Sequence, residues 1–322
     1  MVYTSLTDAP HNFKEAADWL LALKGDDVKN LKAIGEAVYK FLVDKPVGRI
    51  NLPALEKVKR ISKHFLEQRE LRNYWFVEEL LKRYNDLISK SPGAWAKYFR
   101  VVDESDYKNV VKSKGITAED IAKNLDRIVN GTEILRDSIK IPDEYQSAYS
   151  SEATWESSCA KDPEACATVF VGIAPMLYAG VRSLHTASIA ATLNLAPLTR
   201  HEYGLRKTMK ALGYVEPECR TNMSGLDVGR ALRGLYLRRV LTLCDLAGFW
   251  AFYGSKNAAV KSGELDKDAQ EFIDFYVNMK PINPPKKYVL RKPPSTYTAT
   301  GSNNMYYPWL PTVLDMGDTV PL

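Results

Sequence analysis

Helical periodicity along most of the chain, a near absence of alternating strand-like patterns, and a proline-rich basic C-terminus predict an all-α fold. The expected architecture is a multi-helix bundle followed by an extended tail. The 322 residues are 45% hydrophobic and 26% charged, which suits a globular protein with a sizeable core and excludes wholesale disorder. Residues 1–141 read as an N-terminal helical block, 142–280 as a second helical block holding all four cysteines, and 281–322 as the tail. Periodicity leaves open whether the two blocks form one bundle or two.

In the first block, Asn12 followed by Glu15 is an N-cap with its reciprocal partner. The helix they open sets Phe13, Ala16, Ala17, Leu20 and Leu23 on one side and Lys14, Glu15 and Asp18 on the polar side, and Gly25 supplies the stop. Further stripes recur at spacings of three and four: Leu31, Ile34, Val38 and Phe41; Leu55, Val58, Ile61 and Phe65; Tyr74, Val77, Leu81, Tyr84 and Ile88. Pro46, Pro53, and Pro92 with Gly93 punctuate them. Thr117, three residues ahead of Asp120, caps a helix with Ile121, Leu125, Ile128, Thr132, Leu135 and Ile139 on one face. That seam is too short for a coiled coil and Gly131 weakens it, so a bundle helix is expected.

The second block starts near Pro142 with a polar, aromatic connector from Tyr145 to Trp155. The 17-residue apolar run Ala165 to Val181 follows, at the short edge of bilayer-spanning length and carrying Gly172, Pro175 and Gly180. A buried core helix or broken helical hairpin is preferred, with membrane insertion as the alternative, so membrane association stays open without a clear transmembrane helix. One helix is expected from Thr199 and Glu202. A long one opens at Ser224 and Asp227 and buries Val228, Leu232, Leu235, Leu243, Leu246 and Trp250. Arg230, Arg233, Arg238 and Arg239 fall on its solvated side.

The formal net charge of +5 is spread as +2 over residues 1–150, 0 over 151–274 and +3 over 275–322. No concentrated basic stripe lies on the folded part, so no nucleic-acid partner is expected. Asp8, Lys14, Glu15 and Asp18 interrupt every possible apolar core in the first 25 positions, so no secretory signal peptide is read there. In the tail, five basic residues, among them Lys286, Lys287, Arg291 and Lys292, lie between Lys280 and Lys292, and eight of the 17 prolines fall from Pro281 onward. Pro308, Trp309 and Pro311 combine PxxP spacing with an aromatic ring, a pattern suited to docking in a partner's groove, beside the plainer reading of a solvated tail.

Catalytic patterns are missing. His201 and Glu202 begin like a zinc-protease HExxH motif, but Leu205 occupies the second histidine position. Cys159, Cys166, Cys219 and Cys244 are separated by 6, 52 and 24 residues, without CxxC spacing for zinc, and can form any of three two-disulfide pairings or remain thiols. Phosphate-binding glycine loops and a GxSxG turn are absent, so no cofactor or metal is expected. Carboxylates such as Asp103, Glu104, Asp106, Glu216 and Glu218 read as caps and solvated turns, and His11, His64 and His185 as structural or exposed. Two sequons, Asn130-Gly131-Thr132 and Asn222-Met223-Ser224, occur at a density near chance.

Two segments carry a family resemblance. The opening NFKEAADWLLALKG from Asn12 to Gly25, with the helix from Leu31 to Val43, resembles the N-terminus of the variant erythrocyte surface antigens of Babesia-type piroplasm parasites. The text from Tyr149 to Leu184, running through Trp155, Cys159 and Cys166, is similar to a block of uncharacterised multigene proteins from the same parasites. Together they cover about a fifth of the chain. The resemblance implies an exported or surface-associated antigen that acts at the host-erythrocyte interface by binding a host or parasite protein, without catalysis. Those antigens are longer, richer in cysteine and anchored by a C-terminal transmembrane helix, whereas this sequence ends in Asp315 to Leu322 with no hydrophobic anchor. The alternative expectation is an intracellular, cytoplasmic scaffold or adaptor that docks partners through its tail.

Overall fold

The computed structural model describes residues 2–48, 50–85, 93, 105, 107–193, 204–235, 242 and 248–253, all within one compact unit, Met1–Asn278. Among them every regular element is helical, and the exceptions are two isolated β-bridges, Tyr3 with Tyr149 and Lys140 with Cys219. The helices are α1 (Phe13–Lys24), α2 (Lys29–Leu42), α3 (Pro53–Leu66), α4 (Trp75–Asn85), α5 (Val110–Ser113) and α6 (Ala118–Ile139) in the first part. The second part holds α7 (Trp155–Ser158), α8 (Pro163–Thr192), α9 (Leu205–Ala211), α10 (Gly225–Ala231) and α11 (Phe249–Phe252).

The caps follow from the sequence. Asn12 Oδ1 accepts from Glu15 N at 3.0 Å, and Thr117 and Asp120 bond reciprocally at the head of α6. α1 ends at Gly25, whose φ of 52° favours glycine. The predicted faces of α2 and α6 are buried throughout, as is that of α1, where Trp19 joins them with no exposed surface. On α3, Leu55, Val58 and Phe65 are buried and Ile61 is half-buried. On α4 the buried set is Phe76, Val77 and Leu80, while Leu81 and Tyr84 are half-buried and Ile88 lies outside the described residues.

The apolar run becomes a single 30-residue helix, α8, rather than a broken hairpin. Pro175 has no N–H, so the Val171 carbonyl lacks its helical donor. One residue on, Ser62 Oγ of α3 donates to Gly172 O at 2.6 Å and ties the two helices together beside the gap. Alone among the described helices, α8 is long and apolar enough to cross a membrane, yet 89% of its most apolar window is buried inside the protein. α1, α2, α3, α9 and α10 all pack on it. At Gly180 an added Cβ would lie 2.2 Å from the Phe13 ring, so only hydrogen lets α1 approach this closely.

Two expectations are corrected. The long helix from Ser224 stops at Ala231, continues as one 3₁₀ turn, Leu232–Gly234, and is interrupted at Leu235, whose ψ of 71° is not helical. There Gly234 lies against Gly131 of α6, where a Cβ on Gly131 would come within 2.7 Å of the Gly234 carbonyl group. Gly131 is therefore a packing surface for this turn as well as a poor helix former. The second concerns α1: Lys14 and Asp18, on its polar side, are not left to solvent but are 8% and 2% exposed. Both faces of α1 are covered, one by the core and the other by residues 145–149 and 218.

Candidate functional site

Distant parts of the sequence converge at one corner, where the N-terminal segment, α1, the connector after α6 and the turn after α9 meet. Tyr3 N donates to Ala148 O at 2.7 Å and Ser150 N to Tyr3 O at 2.9 Å, so the first residues lie beside the connector as a short parallel bridge. Leu6 N donates to Ser158 Oγ at 3.0 Å, and the Trp19 indole donates to Leu6 O at 2.8 Å. α7 follows at once. Cys159, just past α7, and Cys166, in the first turn of α8, form a disulfide with 1.99 Å between the sulfurs, and both are fully buried. The bond staples the start of the central helix to the loop that holds the N-terminal segment.

Next to it lies a buried polar cluster. Asp18 accepts from Tyr145 OH at 2.5 Å and from Ala148 N at 2.9 Å, with Lys14 Nζ 3.5 Å away. Lys14 Nζ donates to Gln146 O at 2.8 Å, pairs with Glu218 at 3.1 Å and sits 4.5 Å above the Tyr145 ring. Burial raises the Asp18 carboxyl above its ordinary range, opposed by its bonds from Tyr145, Ala148 and Lys14. Burial, together with the Asp18 charge, raises the Tyr145 phenol far above its usual range, so Tyr145 is a fixed donor and not a proton carrier.

Cys219 is a buried free thiol beside this cluster, pushed up to about 11, mainly by burial. Such a thiol is inert as a nucleophile at neutral pH. It forms part of the floor of an open cleft of about 730 Å³, rimmed by Ser138, Arg220, Asp227 and Arg230. Glu216 at the edge bonds Thr221 and pairs with Arg206 at 3.4 Å, and Arg230 pairs with Asp227 at 3.4 Å.

Of the cysteines singled out by sequence, two form the disulfide, Cys219 lies apart as a thiol, and Cys244 is outside the described residues. The tail residues Lys286, Lys287, Arg291, Lys292, Pro308, Trp309 and Pro311 are also outside them, as are Thr199, His201, Glu202, Asp103, Glu104 and Asp106. No cluster of histidine, cysteine and carboxylate groups suited to a metal ion occurs among the described residues. His11 Nδ1 bonds Tyr3 OH at 2.5 Å, His64 is exposed, and His185 is lowered by burial and then by Arg182. Sequence reading missed Lys14, Asp18, Tyr145 and Glu218 as a group. The signal within reach was the i, i+4 pair Lys14 and Asp18, followed at once by the helix's only tryptophan, Trp19.

No protein-family profile, curated protein or solved structure matches this chain.

Proposed function

We propose that this chain is a non-enzymatic helical binding protein, similar to the variant surface and exported antigens of Babesia-type piroplasms, that recognises a host or parasite protein at the erythrocyte interface. The observation that carries this reading is the Cys159–Cys166 disulfide, which falls inside the Tyr149–Leu184 text on which the resemblance rests. Disulfides persist in secreted and surface proteins and are rare in the reducing cytosol, so the bond supports passage through an oxidising compartment. A core closed around α8 and stapled at its start also gives a rigid frame on which exposed loops can vary while the fold is kept.

Differential alkylation with mass spectrometry on protein from its native cells tests the reading. Free thiols are trapped before denaturation and the remainder labelled after reduction. Recovery of Cys159 and Cys166 only in the reduced fraction is expected. All cysteines trapped as free thiols would overturn the antigen reading and favour the intracellular adaptor acting through the basic, proline-rich tail. A second arm measures binding of the purified chain to intact erythrocytes before and after surface proteolysis. Saturable binding lost on proteolysis is the expected result for a protein receptor.

A further inference from the structure

α3 carries Glu56, Lys59, Arg60 and Lys63 at spacings of three and four, which sets them along one side of the helix. That side borders a pocket of about 120 Å³ closed by Arg83 and Tyr84 of α4 and by Tyr253 after α11. Four basic side chains and one carboxylate line this small space. Lys59 is 7% exposed, and its ammonium donates to Glu56 Oε1 at 2.7 Å and to Phe252 O at 2.9 Å while lying 4.8 Å from the Tyr253 ring. These contacts fix a cation in the wall and occupy Glu56, the one acid among the described lining residues. An ammonium has three N–H donors, so one remains after the two bonds.

In front of Lys59, the charge is less compensated. Arg60 is exposed and has no ion pair among the described residues, and Lys63 reaches a carboxylate only at 3.8 Å, on Glu67, whose side chain is 48% exposed. We infer that this pocket binds a single tetrahedral oxyanion, the chemistry shared by inorganic phosphate, sulfate and the phosphate of a lipid headgroup. A space of about 120 Å³ has room for one such ion with residual water. The guanidinium of Arg60 offers a planar donor fork, and Lys59 and Lys63 add point charges from the same helix, an arrangement suited to an anion with several acceptor oxygens.

Titration calorimetry of the full chain at low ionic strength, with sodium phosphate and separately with sodium sulfate, tests it. Saturable one-site binding is expected, weakened about tenfold or more in Arg60→Ala, Lys63→Ala and unchanged in Arg127→Ala, an exposed arginine on α6. Both substituted α3 side chains reach solvent, so the double variant is expected to fold. No saturable heat, or an equal loss in Arg127→Ala, would overturn the proposal. A flotation arm uses phosphatidylcholine vesicles doped with phosphatidic acid. Flotation lost in the double variant assigns a lipid headgroup as the source, while phosphate binding without flotation assigns a soluble ion. Flotation retained by the double variant in the absence of phosphate heat overturns the site.

Discussion

Helix Pro163–Thr192 and the corner built from residues 2–18, 145–150 and 214–219 each have a buried centre, but different chemistry holds each. The helix is enclosed by side chains from seven other described helices, α1 to α4 and α9 to α11, with Phe170, Ile173 and Met176 fully buried. Its contacts are numerous, individually weak and tolerant of direction. The corner instead depends on a disulfide and a few directed bonds around Asp18 and Lys14, each with one partner that cannot be replaced by a neighbour. The helix should therefore fail by losing packed volume, and the corner by leaving a polar group without its partner.

The largest effect tests the helix. Phe170→Ala removes a fully buried ring and is expected to lower unfolding free energy by about 3–5 kcal/mol, read from urea denaturation midpoints. A loss below about 1 kcal/mol would mean that α8 is not the packed centre. Next comes the staple at the corner. Replacing Cys159 and Cys166 together by alanine opens a loop spanning a sequence separation of 7 and should cost about 2.5 kcal/mol by the chain-entropy relation. The same experiment run with reductant on the native chain should give a matching shift, while the variant should be insensitive to reductant.

Asp18→Asn sharpens the comparison because it keeps shape and changes only polarity. The amide cannot accept from both Tyr145 OH and Ala148 N, so a loss of about 1–3 kcal/mol at neutral pH is expected. It should also change the pH profile. Burial raises the native carboxyl, so the folded protein holds this proton to a higher pH than the unfolded chain does. Stability therefore falls as pH rises from the ordinary aspartate value of 3.8 through the native one, and the Asp18 contribution is level above that. The difference in urea midpoint between the native chain and Asp18→Asn, measured across acidic pH, should therefore shrink as pH rises through this range; a difference independent of pH would remove Asp18 as its source. The smallest effect is at the cap: Asn12→Ala deletes the acceptor for Glu15 N and should cost about 1 kcal/mol, with hydrogen exchange rising first in the opening turn of α1.

The corner was also harder to read than the helix. Helices α2 and α6 and the apolar face of α1 are legible because spacings of three and four report which residues share a side of a local element. The same spacing assigned Lys14 and Asp18 to solvent, since a charged stripe opposite an apolar one normally faces water. It had no means of reporting that a second segment, 130 residues away at Ala148, returns to cover that stripe. The interruption at Leu235 was hidden for a related reason. Val228, Leu232 and Leu235 keep helical spacing and are all buried, but the close approach of Gly234 to Gly131 is a contact between distant parts of the chain.

By itself, the sequence determined the all-helical class, the caps at Asn12, Thr117 and Ser224, the buried apolar faces of α1, α2 and α6, and the absence of familiar catalytic motifs. Each of these is set within one or two helical turns, by side-chain size, polarity and capping geometry. Only the tertiary structure decided that Cys159 joins Cys166 while Cys219 stays a thiol, that α8 is enclosed by protein, that Lys14 and Asp18 are buried together, and that Glu56 to Lys63 line a basic pocket. Those outcomes depend on which distant segments meet, a property of the packed chain as a whole that local periodicity does not encode.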